Sequence, residues 1–214
     1  MKFMLPPIYP ITDKSLSGMS SHLAIVRELV RGGASVVQIR DKSTPLRELL
    51  DDLHRCVEYA AKHGVRIIVN DRCDLALVSG ASGVHLGQDD LPPTAARTVL
   101  EARAVLGFST HSLAQVRRSN RLPIQYIGFG PIFATSTKSN RLTVVGLAQL
   151  RRACRQSTRP VVAIGGIGLD QVRGVLETGA TSAAVISALM KAKSIARRME
   201  ELLGAAEKVG ICNR

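Results

Sequence analysis

Short runs of β-branched and other apolar residues alternate along this chain with longer stretches in which apolar positions recur every three or four residues. The short runs suit parallel strands buried on both faces, and the longer ones suit amphipathic helices. Eight strand candidates follow one another: Ile8–Thr12, Ser35–Arg40, Arg66–Asn70, Gly83–Leu86, Ala104–Ser109, Ile124–Gly128, Pro160–Ile164 and Thr181–Ile186. Helical patterns lie between them, as in Leu23, Val26 and Val30, or in Leu46, Leu49, Leu50, Leu53 and Val57. Gly64, Gly80 and Gly179 stand where helix C-caps belong.

Eight such units close into a barrel or lie in an open doubly wound sheet. The open sheet usually carries a glycine-rich turn after its first strand, and here Lys14 and Ser15 occupy that place. The pattern therefore predicts one α/β domain over residues 1–214, a single (β/α)8 TIM barrel, and the length of 214 residues suits that fold.

Composition changes this picture little. Apolar residues make up 45% and charged residues 21%, as in an ordinary globular protein. No apolar stretch approaches the roughly 20 residues of a membrane span. The segment from Met1 to Thr12, with Pro6, Pro7 and Pro10, lacks the features of an export signal, so a cytoplasmic, membrane-free protein is expected. Cys56, Cys73, Cys154 and Cys212 have neither zinc-site nor disulfide spacing, which predicts free thiols. The formal charge of +12 raises the idea of nucleic-acid binding. The basic residues are spread over helical patterns, and aromatic residues total only 3%, so solvated helix faces are expected and no nucleic-acid partner. The oligomeric state is left open, a homo-oligomer included.

Polar residues gather after the predicted strands, where the active sites of such barrels are built. Gln38, Arg40 and Lys42 close strand two, Asn70 and Asp71 strand three, and Gln88 and Asp90 follow strand four. Ser109 ends strand five, Gly130 to Lys138 follow strand six, Gly165–Gly166 follow strand seven and Ser187 follows strand eight. Each has a plain structural alternative: Arg40 and Lys42 as surface charges beside Asp41, Asp71 or Asp90 as helix N-caps, the glycines as tight turns. Together they point to anionic chemistry. Arg40, Lys42 and Lys138 are phosphate partners, and Asp71 and Asp90 are hard oxygen ligands suited to a Mg²⁺ that arrives with a diphosphate.

The segments YPITD, QIRDKS, VNDRCDLAL, GVHLGQDDLP, LGFSTHS, YIGFGPIFATSTK, VVAIGGI and VISALM resemble the thiamin-phosphate synthase (thiamin-phosphate pyrophosphorylase) family in order and spacing from about Tyr9 to Met190. The resemblance implies a transferase that condenses hydroxymethylpyrimidine diphosphate with hydroxyethylthiazole phosphate to give thiamin phosphate and pyrophosphate. It implies Mg²⁺ on Asp71 and Asp90, with the pyrimidine diphosphate held by Gln38, Arg40, Lys42, Asn70, Ser109 and Lys138. Thr135, Ser136, Thr137, Gly166, Ile186 and Ser187 are implied for the thiazole phosphate. Lys138, Arg40, Lys42 and Ser109 are the implied catalytic set, acting through a dissociative substitution without a protein nucleophile. His111 takes a structural or positioning role, and Cys73 is expected as a buried helix residue. Ala134 departs from the proline common at that place, and Ser139 to Val145 have no clear match. A thiazole tautomerase on the same barrel is the nearest rival, but it has no use for a diphosphate-binding set.

Overall fold

The computed structural model describes residues 3–135 and 143–211. Eight strands run in the order β1 (Ile8–Pro10), β2 (Val36–Ile39), β3 (Arg66–Asn70), β4 (Gly83–Leu86), β5 (Val105–Thr110), β6 (Tyr126–Phe129), β7 (Val161–Ala163) and β8 (Ser182–Val185). The helices among the described residues are α1 (Lys14–Ser17), α2 (His22–Arg31), α3 (Leu46–Lys62), α4 (Cys73–Ser79), α5 (Pro93–Val99), α6 (Leu113–Ser119), α7 (Gly146–Gln156), α8 (Leu169–Leu176), α9 (Ser187–Met190) and α10 (Ile195–Ile211).

Each strand pairs in parallel with its sequence neighbour from β2 round to β8, and β8 pairs with β1. The ring closes between β1 and β2 through an Ile11–Gln38 bridge, beside which the Thr12 N–H donates to the Gln38 carbonyl at 2.9 Å. The architecture is therefore the predicted (β/α)8 barrel, with β3 and β4 at the predicted bounds and the other strands shifted or shortened by one or two residues.

Both faces of each strand must bury apolar side chains, many of them β-branched. One face meets the barrel interior and the other the helices. Ile67, Val69, Val84, Val105 and Val161 are almost wholly buried, as are Ile25, Leu29, Leu53, Val116, Leu150 and Val172 on the helices. Burying each such side chain stabilises the fold by roughly 1.5–3 kcal/mol before chain entropy is counted. Helix ends follow local chemistry: Asp13 caps α1 through Leu16 N–H, Ser21 caps α2 through Ala24 N–H, and Gly80 ends α4 with φ +70. Cys73 is buried at the start of α4 as expected, and Cys56, Cys73 and Cys154 are free thiols, while Cys212 lies outside the described residues. No helix among the described residues is long and apolar enough to cross a membrane.

Candidate active site

Side chains of alternate strand residues converge on a small cavity at the C-terminal mouth. Gln38, Arg40, Asn70 and His85 line it together with Tyr126 and Ile186. Gln38 and Arg40, two residues apart, turn into the same cavity as their spacing predicts. Lys42 lies beyond the end of β2 and is half exposed at the rim, where its ammonium contacts the Asp71 carboxylate. Arg40 is not a free surface charge: its guanidinium bonds Asp13 Oδ2 at 3.1 Å, and its backbone N–H donates to Thr12 Oγ1 at 3.2 Å.

The loop carrying Arg40 and Lys42 is tied down from behind. Asp41 accepts from the Ser43 and Thr44 N–H groups, each at 2.8 Å, and from the Thr44 hydroxyl at 2.7 Å. It also accepts from Nε2 of the fully buried His22 at 2.9 Å. Burial opposes ionisation of Asp41, but these donors outweigh it and hold the carboxyl well below its ordinary range. His22 Nδ1 in turn meets Thr12 Oγ1 at 2.9 Å, so one network joins α2, the end of β1 and the loop after β2.

Asp71 and Asp90 come together although they belong to successive units. Asp71 has φ +64, a left-handed conformation unusual for a residue with a side chain, fixed by its N–H donating to the His85 carbonyl at 2.8 Å. It is not the N-cap of α4, which is Arg72, and Asp90 is not the N-cap of α5, which is Pro92. Asp90 Oδ2 instead accepts from Gly87 N–H at 2.6 Å. The two carboxyls are close enough to shift each other's ionisation. Burial raises the pKa of Asp71, yet Lys42 and Asp90 prevail and leave it lowered. Burial and the neighbouring Asp71 raise that of Asp90, against the Gly87 N–H and Lys42. Like charges this close oppose joint ionisation, and a divalent cation between them removes that penalty. Two hard oxygen ligands fit a Mg²⁺ that completes its shell with phosphate and water. No cluster of three or more acidic, His or Cys side chains suited to a metal occurs among the described residues.

Asn70, at the end of β3, faces the cavity, and Ser109, within β5, meets His85 Nε2 at 2.9 Å through its hydroxyl. On the opposite side Gly166 has φ +64, and a Cβ there would stand 2.5 Å from the Ala134 carbonyl oxygen and 2.8 Å from Phe133 Cβ. The turn after β7 thus presses against the segment after β6, which only glycine permits. Ile186 and Ser187 stand at the N-terminal end of α9 on the same mouth, and Thr135 is exposed just after Ala134. Ser136, Thr137 and Lys138 lie outside the described residues. His111 Nδ1 bonds the Gly130 carbonyl at 2.7 Å, at the start of the segment after β6.

The sequence did not single out Asp13, Tyr9, His85 or Tyr126. Inside apolar strands the last three resemble ordinary core residues. Gly107 and Gly128 are the signal in retrospect, because a Cβ at Gly107 would lie 2.2 Å from the Tyr126 ring and one at Gly128 3.2 Å from His85. Strand glycines clear room for bulky polar rings inside the barrel.

Comparison with known proteins bears on the family and the fold. The family model for thiamine monophosphate synthase matches residues 8–189. A thiamine-phosphate synthase of Albidiferax ferrireducens is 41% identical over 201 residues, covering 92% of each chain. One from Desulfitobacterium hafniense is 40% identical, covering 86% of this chain and 88% of its own. The solved thiamine phosphate pyrophosphorylase of Pyrococcus furiosus superposes with a TM-score of 0.87 at 35% identity, covering 94% of this chain and 96% of its own. A 3-hexulose-6-phosphate synthase, 14% identical with a TM-score of 0.64, shares the fold alone. With the family match running from β1 into α9 and relatives this similar over nearly their whole lengths, the chain belongs to the thiamine monophosphate synthase family.

Proposed function

We propose that this chain is a single-domain, cytoplasmic thiamin-phosphate synthase that condenses hydroxymethylpyrimidine diphosphate with hydroxyethylthiazole phosphate and releases pyrophosphate. The observation that carries the proposal is the joining of the Asp71–Asp90 pair, Lys42 and Arg40 beside the cavity that Gln38, Arg40 and Asn70 line. At that rim Arg40 and Lys42 face three carboxylates, Asp13, Asp71 and Asp90. Such a rim takes up a diphosphate poorly by itself, and a divalent cation on Asp71 and Asp90 reverses the local balance.

The chemistry that Mg²⁺ supplies at Asp71 and Asp90 is neutralisation of diphosphate charge. Gln38, Asn70 and Ser109 hold the pyrimidine, and Arg40 and Lys42 hold the diphosphate. The bond between the pyrimidine methylene carbon and the diphosphate oxygen breaks, and its electron pair leaves with the diphosphate. Arg40, Lys42 and Lys138 stabilise the charge that grows there. The thiazole nitrogen lone pair then forms the new C–N bond to the methylene cation, so no protein nucleophile is consumed. Thr135, Ser136, Thr137, Gly166, Ile186 and Ser187 hold the thiazole phosphate against that centre, with backbone N–H groups at the turn after β7 and the start of α9 suited to its oxygens.

The test is an assay of the purified chain with both substrates and Mg²⁺, which should give thiamin phosphate and pyrophosphate in equal amounts. Absence of both products sinks the proposal, and conversion of a thiazole phosphate carboxylate between isomers would favour the tautomerase instead. In single-turnover experiments, Lys138→Ala should slow the chemical step far more than it weakens thiazole phosphate binding, and an unaltered rate would remove Lys138 from the catalytic set.

A further inference from the structure

Where β4 leaves the sheet, two glutamine side chains continue its seam with β5. The ladder between the two strands ends at the Leu86–Phe108 pair. Past it the chain turns through Gly87 to Asp90, and Asp90 Oδ2 takes the Gly87 N–H at 2.6 Å. From within that turn Gln88 reaches back to β5, where its Nε2 donates to the Ser109 carbonyl. Gln88 Oε1 accepts from Gln115 Nε2 at 3.1 Å, and Gln115 Oε1 accepts from the His111 N–H at 2.6 Å.

The main chain fixes how both amides face. A carbonyl only accepts and a backbone N–H only donates, so Gln88 must turn its NH₂ to Ser109 and Gln115 its oxygen to His111. The two remaining halves, the Gln88 oxygen and the Gln115 NH₂, then meet as acceptor and donor. Flipping either amide would set like groups against each other at both of its ends. The side chains thus form a bracket round the end of β5, closed by the short stretch of backbone from Ser109 to His111. Helix capping alone does not call for it. Gln115 is the third residue of α6, after the N-cap Ser112, whose hydroxyl takes the Gln115 N–H at 3.3 Å. A glutamine there that served only as a cap would bond back to the N-cap N–H. This one reaches a residue further back, and its NH₂ goes to exposed Gln88, which belongs to another unit of the barrel.

We propose that Gln88 and Gln115 are positioning residues that pin the turn from Gly87 to Asp90 to the end of β5 and so set the place of the Asp90 carboxylate relative to Asp71 and Ser109. The link to a metal rests on the Mg²⁺ site proposed above, whereas the pinning of the turn does not. The turn is held at two points: the Gly87 N–H grips the carboxylate from within it, and Gln88 ties it to β5 from outside. Asp71 hangs from β4 by a different bond, its N–H to the His85 carbonyl. With the bracket open, the turn still closes on itself but swings as a unit, and Asp90 moves away from Asp71.

Gln115→Glu separates the bracket from the cap. Glutamate keeps an acceptor for the His111 N–H and suits the first turn of a helix, so a capping role predicts unchanged or higher stability and no other effect. In the bracket its carboxylate faces Gln88 Oε1, acceptor against acceptor, and Gln88 must release Gln115 or Ser109. Gln88→Leu removes both bonds of that side chain without adding charge. Both variants should melt close to the wild type. ¹⁵N relaxation and relaxation dispersion of the full chain without ligand should find the amides of Gln88, Asp89 and Asp90 rigid in the wild type and mobile in each variant. Unchanged dynamics in the two variants would overturn the proposal. Calorimetric titration with inorganic pyrophosphate and Mg²⁺ should give an affinity about 10-fold weaker in each variant, the low end of the range for partners that orient a metal ligand. The double variant should bind no more weakly than Gln115→Glu alone, because one bracket cannot be broken twice. Affinity kept in Gln88→Leu would show that only the added charge acts in Gln115→Glu, and would overturn the tie to Asp90. If the variants free a turn that is rigid in the wild type, but the wild type does not bind pyrophosphate with Mg²⁺, the bracket stands and the proposed function falls.

Discussion

At the scale of single residues, two kinds of side chain occupy this mouth: those held there against their own preference and those kept small. Asp71 belongs to the first kind, with its left-handed backbone and its carboxyl pressed against that of Asp90. Neither carboxylate caps a helix, and the proposed Mg²⁺ site gives both a use as ligand charge. Asp71→Asn and Asp90→Asn should each lower turnover on the order of 100-fold while changing thermal stability little, as judged by steady-state kinetics beside calorimetry. A chelator should abolish activity in the parent, and full activity in metal-free buffer would refute the assignment. Gly166 belongs to the second kind. Gly166→Ala places a methyl in a left-handed backbone against the Ala134 carbonyl and should cost about 1–3 kcal/mol of stability. It should also raise KM for the thiazole phosphate more than it lowers kcat, because the turn it distorts is proposed to hold that phosphate.

Elements explain what was legible in the sequence and what was not. Arg66–Asn70 was readable to the residue because a parallel strand buried on both faces is a continuous apolar run, here Ile67, Ile68 and Val69, between polar ends. The same rule located Gln38, Asn70 and Ser109 at the mouth. It failed for Tyr9, His85 and Tyr126, since a polar ring inside an apolar strand differs from core only through its partners, which lie up to 117 residues away. Asp13 escaped for a related reason: an N-cap of α1 that also grips Arg40 announces only the cap. The loop after β2 shows how an element beyond the strands sets the site. Asp41→Ala removes the acceptor for four donors and should cost about 2–3 kcal/mol, measured by denaturant unfolding near neutral pH. The pH dependence has a definite sign. The lowered Asp41 pKa gives stability that is present above the unfolded value of about 3.9 and is lost as pH falls through the folded one. Burial lowers the pKa of His22 despite the Asp41 charge, so stability should already begin to fall as pH drops below 6.5, where the unfolded imidazole takes up its proton first. If the parent and Asp41→Ala lose stability in parallel below pH about 4, Asp41 is not the group responsible.

For the whole molecule the question is what an excess of 12 positive charges does. Ion pairs do not reduce this excess, although Arg31, Arg72, Arg103, Arg173, Arg197 and Arg198 each pair with a carboxylate on or near their own helix. Exposed pairs of this kind contribute little stability. At the mouth, Arg40 and Lys42 are themselves held by Asp13 and Asp71. Attraction of the two proposed anionic substrates from a distance must then come from the net field of the chain, and once they are bound the close contacts take over. Added salt screens the first and hardly touches the second, since the Debye length shrinks from about 10 Å at 0.1 M to about 3 Å at 1 M. It follows that kcat/KM for the pyrimidine diphosphate should fall severalfold over that range at fixed free Mg²⁺, while kcat stays nearly constant. A nucleic-acid-binding barrel would behave differently, losing DNA affinity by several powers of ten over the same range and forming no pyrophosphate. If kcat/KM proves independent of salt, the +12 charge plays no part in capturing substrate.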